Sequence, residues 1–189
     1  MSVKRGFADI AEGQVHYWSG GLEHASAPLV FLHPGPGTAR HQVPLLNELS
    51  KHTRVIAPDI LGMGDSVAPS IAEPDLAYFA DAMWRFLDSI NVSRCVLMGS
   101  SLGGRIAVEM TLQAPSRAKG LVLNRIMMMT GEDLAEMKQK HAPQVMPDQT
   151  GAYIWFVWNR LRGLAQYFPW FRQDAAHRRK TELPLAEVM

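Results

Sequence analysis

Residues 99–103 read Gly-Ser-Ser-Leu-Gly, and what flanks them decides their meaning. Ahead lies Arg94-Cys95-Val96-Leu97-Met98, a short apolar run of strand type. Behind lies Gly104-Arg105-Ile106-Ala107-Val108-Glu109-Met110, a helical pattern that ends before Pro115. A strand that passes directly into a helix must turn within a few residues. The residue at the tip takes a strained backbone, and its neighbours must be small. A serine at that tip with glycine two residues to either side is the G-x-S-x-G nucleophile elbow. The register is unambiguous, since Ser101 has Gly99 and Gly103 around it while Ser100 has Met98 and Leu102. The Ser101 hydroxyl is expected above the sheet edge, with the free N–H groups of the helix N-terminus beneath it. The bare pattern is weak in a chain with this much glycine and serine. Two further segments strengthen it.

The first is Pro28-Leu29-Val30-Phe31-Leu32, a buried-strand run, followed by His33-Pro34-Gly35-Pro36-Gly37. Acyl transfer needs N–H donors aimed at the oxyanion of the tetrahedral intermediate. One is the backbone N–H of the residue after the nucleophile, Leu102, and the other comes from the loop after an adjacent strand. Pro34 and Pro36 have no N–H, which leaves Gly35 as the donor of that loop. Taken alone, a Pro/Gly cluster after a strand is also an ordinary turn. The second segment is the strand Arg54-Val55-Ile56-Ala57 and the loop Pro58-Asp59-Ile60-Leu61-Gly62-Met63-Gly64-Asp65-Ser66.

Together these segments resemble the serine-nucleophile, cap-bearing branch of the α/β-hydrolase superfamily. There an H-G-x-P-G-like loop, a D-x-x-G-x-G-x-S loop and the elbow occur in this order. The resemblance runs from about Phe7 to about Asn124, and one departure is Pro34, where the family usually has glycine. It implies a three-layer α/β fold with a mostly parallel sheet. It also implies water-dependent cleavage of an ester-like or C–C bond in a small apolar ester-like or ketone substrate. Ser101 would be the nucleophile, Gly35 and Leu102 would stabilise the oxyanion, and no metal or organic cofactor would be needed. Serine in this position argues against the haloalkane dehalogenase and epoxide hydrolase branches, which use aspartate there.

The remaining pattern agrees with that fold. Lys4 to Gly21 reads as a hairpin with its turn at Glu12-Gly13. Val43, Leu45, Leu46 and Leu49 make one face of a short helix. Leu76, Phe79, Met83, Phe86, Leu87 and Ile90 describe a longer amphipathic helix entered near Asp75. Gly120-Leu121-Val122-Leu123 reads as one more buried strand. Strands alternating with helices imply a parallel sheet covered on both faces. The net charge of +1 gives no electrostatic argument for nucleic acid or an anionic membrane. No apolar leader follows Met1-Ser2-Val3-Lys4-Arg5, no apolar run approaches membrane-spanning length, and Cys95 is the single cysteine. A cytoplasmic protein with one buried structural thiol is expected.

Beyond Asn124 the pattern thins. The family places an acid and then a histidine after the nucleophile in chain order. Only His141 and His177 follow Ser101, and neither follows an apolar strand. His33 would brace the oxyanion loop. The expectation is therefore a C-terminally truncated hydrolase whose sheet is incomplete at its C-terminal edge. Residues 1–126 would form the core, with strands one to six and the elbow, and residues 127–189 a partial helical cap and tail. Half of the sixteen aromatics lie in the latter: Tyr153, Trp155, Phe156, Trp158, Tyr167, Phe168, Trp170 and Phe171. Ile154, Trp158, Leu161, Ala165 and Phe168 keep helical spacing there. That stripe fits a lid lining an apolar pocket, core packing against the sheet, or adsorption to a membrane surface, for which opposing Lys/Arg are sparse. Strand 120–123 would form an open edge, giving a homodimer through that edge. Three functions stay open: a working serine hydrolase, a truncated one with little turnover, and a non-catalytic binding module.

Overall fold

The computed structural model describes residues 2–22, 27–126, 130–133, 135 and 149–155. The chain divides into two units, Met1–Met128 and Met129–Met189. In the first, strands β1 (Lys4–Ile10) and β2 (Gly13–Gly20) form the expected hairpin. They are followed by β3 (Leu29–Leu32), a 3-10 turn (Ala39–Gln42), α1 (Val43–Leu49) and β4 (Val55–Pro58). Then come α2 (Leu76–Ser89), β5 (Cys95–Ser100), α3 (Leu102–Gln113) and β6 (Ala118–Asn124). The six strands form one sheet in the order β1-β2-β4-β3-β5-β6. β2 is antiparallel to β4, whereas β4, β3, β5 and β6 are mutually parallel. All four parallel strands therefore end on the same side, where loops carry ligands in open α/β sheets.

Alternation along the strands builds the three layers. Val30, Leu32 and Ile56 face one way and pack with Met83, Phe86, Leu87, Ile106 and Met110 of α2 and α3. Phe31, Val55 and Ala57 face the other way and pack with Leu46 of α1. Successive side chains of a strand point to opposite faces, so a run of apolar residues feeds both cores. Two details differ from the sequence pattern. Leu45 is exposed, because i, i+3 spacing turns Val43, Leu46 and Leu49 to the sheet and leaves Leu45 well off that face. Strand 120–123 is not buried, since β6 is the edge of the described sheet and Val122 and Leu123 are each 46% exposed.

Helix α2 begins where expected. Asp75 is extended at φ −95°, ψ −179°, and its Oδ1 accepts the Tyr78 N–H at 2.8 Å. An N-cap of this kind contributes about 1 kcal/mol. Asp75→Ala is expected to lower the melting temperature by about 2–4 °C, measurable by calorimetry. Between α2 and α3, Trp84 Nε1 donates to the Met110 carbonyl at 3.0 Å, and the Arg117 guanidinium covers the Trp84 ring at 4.1 Å. Cys95 is fully buried, and desolvation pushes its thiol up to about 11, as befits a structural cysteine.

In the second unit Thr130 and Asp133 cap a helical turn: Thr130 N–H donates to Asp133 Oδ2 at 2.8 Å, and Asp133 N–H to Thr130 Oγ1 at 3.2 Å. Residues 152–155 are helical, with Ile154 and Trp155 exposed. Met127–Met129, His141, His177 and the aromatic stripe from Phe156 onward lie outside the described residues. Among the described residues no helix is long and apolar enough to cross a membrane.

Candidate active site

The turn at Ser101 has the geometry that its sequence demands. Ser101 lies between the last residue of β5 and the first of α3 with φ +51° and ψ −118°. This is a left-handed conformation that costs a non-glycine residue about 1–3 kcal/mol. Its side chain caps nothing, so the hydroxyl is not used by the helix. The flanking glycines are steric requirements. A Cβ at Gly99 would lie 2.3 Å from the Gly103 carbonyl oxygen, and one at Gly103 would lie 2.2 Å from the Leu32 oxygen. At Gly104 a Cβ would meet Ile126 Cδ1 and Cγ1, each at 2.8 Å. The first turn of α3 is thus pressed onto the ends of β3 and β5, and the tip residue is held from below. The Ser101 N–H donates to the Asn124 carbonyl at 3.2 Å, which ties the elbow to the end of β6. Ser100 is buried within β5, 8% exposed.

The loop that carries Gly35 touches the side chain of Leu102. A Cβ at Gly35 would lie 2.7 Å from Leu102 Cδ2 and 3.2 Å from Leu102 Cβ, so the loop after β3 rests directly on the first residue of α3. Leu102 opens the helix, so its N–H has no intrahelical acceptor. Gly35 N–H donates to no group among the described residues.

Two buried side chains fix this loop. His33, fully buried, lies between two backbone partners: Nε2 accepts the Ile60 N–H at 3.0 Å, and Nδ1 donates to the Pro34 carbonyl at 2.9 Å. Asp59, 2% exposed, takes up the far end of the loop, its Oδ1 accepting the Ala39 N–H at 2.7 Å. Its Oδ2 accepts the Asp65 N–H at 3.1 Å and lies 2.8 Å from His16 Nδ1. Gly64, at φ +59°, is glycine because a Cβ would fall 2.1 Å from Asp59 Oδ2. Ser66 completes the motif, its Oγ donating to the Asp59 carbonyl and accepting the His16 N–H.

Burial holds the His33 imidazole below its ordinary range, against smaller opposing effects of the Pro34 hydrogen bond and the Asp59 charge. Its folded-state pKa is therefore below the unfolded value of about 6.5. As pH falls through that value, the unfolded chain takes up a proton that the folded chain refuses. The His33 contribution is thus full above about pH 6.5 and is lost progressively below it. Urea midpoints are expected to drop between pH 8 and 5, with a shallower drop in His33→Gln.

A cleft of about 460 Å³ opens on the hairpin side, walled by Arg5, His16, Trp18, Arg40, His41 and Asp65 among others. Ser101, Gly35 and Leu102 are not part of its wall. Among the described residues no three His, Cys, Asp or Glu side chains are grouped to hold a metal ion.

A family model described as alpha/beta hydrolase fold matches residues 27–157, a span that contains every one of these loops except the hairpin. The chain belongs to the α/β-hydrolase fold family. A 2-hydroxymuconate semialdehyde hydrolase of Pseudomonas sp. (strain CF600) is 37% identical over 103 residues, 52% of this chain and 36% of that protein. A 2-hydroxy-6-oxo-2,4-heptadienoate hydrolase of Pseudomonas putida is 32% identical over 102 residues, 52% of this chain and 37% of that protein. Among solved structures, the carboxylesterase CesB of Bacillus subtilis superposes with a TM-score of 0.58 at 29% identity, over 65% of this chain and 43% of that one. The chain thus matches well under half the length of these relatives.

Within this hydrolase fold, Gly35 lies against Leu102, and Leu102 follows Ser101, at the carboxyl end of the sheet. The clamp of His16 and Asp59, and the Asn124 carbonyl, were not read from the sequence. The available signal was the D-x-x-G-x-G-x-S loop, in which an aspartate followed by two glycines marks a buried carboxylate with backbone packed against it.

Proposed function

We propose that this chain is a serine hydrolase of esterase or C–C hydrolase type, acting on a small apolar ester-like or ketone substrate. Ser101 Oγ attacks the carbonyl carbon, and the Gly35 and Leu102 N–H groups receive the developing oxyanion. The observation that carries this reading is the contact of Gly35 with Leu102 beside a serine held at φ +51°. Neither N–H has an acceptor among the described residues, and the Ser101 hydroxyl caps nothing, which supports the reading. The relatives support hydrolysis at a carbonyl and not the apolar character: two are named as hydrolases of a muconate semialdehyde and an oxo-heptadienoate, both carboxylates, and one as a carboxylesterase. His33 and His16 are unsuited to be the general base, because both ring nitrogens of each are already engaged. His141 and His177, the two histidines that follow Ser101 in the chain, lie outside the described residues.

The test is covalent labelling with a fluorophosphonate, which needs the same nucleophile and the same oxyanion donors as an acyl substrate. A single adduct located by mass spectrometry on the peptide containing Ser101 is the expected result. An unlabelled folded protein, or an adduct elsewhere, would overturn the reading.

A further inference from the structure

Arg5 lies on the first strand, far from the elbow in sequence, and half of its side chain is exposed. Its Nε–H donates to His16 Nε2 at 2.9 Å. A nitrogen that accepts carries no proton, so His16 must hold its proton on Nδ1, and that N–H donates to Asp59 Oδ2 at 2.8 Å. Asp59 then has Oδ1 left for Ala39 N–H, at the end of the loop that carries Gly35. The Nη2 of Arg5 also engages Asp65, whose own N–H donates to Asp59. We infer that Arg5 and His16 are positioning residues for the oxyanion loop, acting through the Asp59 carboxylate. The inference rests on the proposed role of Gly35 and extends it to a relay that starts on the hairpin.

The logic is one of donors and acceptors. Asp59 receives three N–H donors and offers none, so its two oxygens are committed. An asparagine there turns one oxygen into a donor. If the amide faces Ala39, the end of the loop loses its acceptor. If it faces His16, the ring must carry its proton on Nε2, which then meets the Arg5 Nε–H head on. Arg5 is what blocks the second escape. Arg5→Lys keeps a positive charge near Asp65 but removes the Nε–H aimed at His16, and therefore frees the tautomer where Asp59 is replaced by asparagine.

Two readouts on the full chain test this. In the first, imidazole and amide ¹⁵N spectra should give His16 as a single Nδ1–H tautomer in the parent. Arg5→Lys should leave that tautomer, which Asp59 still holds, but move the Gly35 and Leu102 amide resonances; combined with Asp59→Asn it should let the ring take the Nε2–H tautomer. In the second, the rate of fluorophosphonate labelling at Ser101 should fall by up to about 10²-fold in Asp59→Asn, the scale of a small misplacement at a reacting centre. Arg5→Lys combined with Asp59→Asn should label faster than Asp59→Asn alone. A folded Arg5→Lys variant whose Gly35 and Leu102 amides match the parent would overturn the inference, whatever the labelling shows. Shifted amides in a protein that never labels would uphold the relay and remove the hydrolase reading instead. Arg5→Lys is a partly exposed substitution, so the spectra remain decisive even if Asp59→Asn fails to fold.

Discussion

Ser101→Ala is expected to abolish fluorophosphonate labelling and to cut any ester hydrolysis by about 10³-fold or more, while Ser100→Ala keeps most of both. Nucleophile and base act as a unit, so losing the attacking oxygen leaves only what binding and the oxyanion donors provide. The fold should not change, because alanine retains the Cβ already tolerated at the tip and Ser101 makes no capping hydrogen bond that the substitution could remove. Ser101→Gly separates function from strain more sharply. It relieves a φ of +51°, worth about 1–3 kcal/mol, against an entropy cost of about 0.5–1 kcal/mol for the glycine. That variant should be inactive and yet melt at or above the parent temperature. A Ser101→Ala protein that hydrolyses as fast as the parent would show that the elbow is structural only.

What the sequence made legible was local. The elbow could be read because a strand, three glycines and a helix follow within twenty residues, and each residue type answers to a steric need of its neighbour. The Asp75 cap and the inward face of α2 could be read for the same reason, a short period and a short range. Gly35 was found by elimination, since the prolines on either side lack an N–H. The relay from Arg5 to His16 to Asp59 has no such local signature: its members lie on three segments that meet only through the pairing of β1 with β2 and β2 with β4. A buried histidine on a strand that also carries Val15 looks like core from its own neighbourhood. The open edge at 120–123 was expected from the strands that do not follow it and not from its own residues. Its composition is that of a buried strand, while its position is an edge.

Gly103→Ala sets two effects against each other, and their magnitudes decide the outcome. Gly103 lies within α3, where alanine is favoured over glycine by about 0.8–1.0 kcal/mol, so propensity alone predicts a more stable protein. The new Cβ, however, would stand 2.2 Å from the Leu32 oxygen and 2.5 Å from the His33 oxygen. Both are backbone atoms at the end of a buried strand and cannot rotate away. Relief requires α3 to lift off β3, which unpacks Ile106 and Met110 from the sheet and separates Leu102 from Gly35. Overpacking of this kind costs about 1–3 kcal/mol even where side chains can adjust, and a backbone clash belongs at or beyond the upper end. The expected net loss of about 2 kcal/mol or more would lower the melting temperature by roughly 4–8 °C. It would remove labelling at Ser101 as well. Gly104→Ala meets mainly the movable ends of Ile126, and Gly131→Ala meets nothing within 4 Å, so the penalty should fall in the order 103, 104, 131. Calorimetry on the three variants checks the ranking. A Gly103→Ala protein as stable as the parent would mean that α3 does not press on the end of β3, and the contact between Gly35 and Leu102, the proposed oxyanion donors, would go with it.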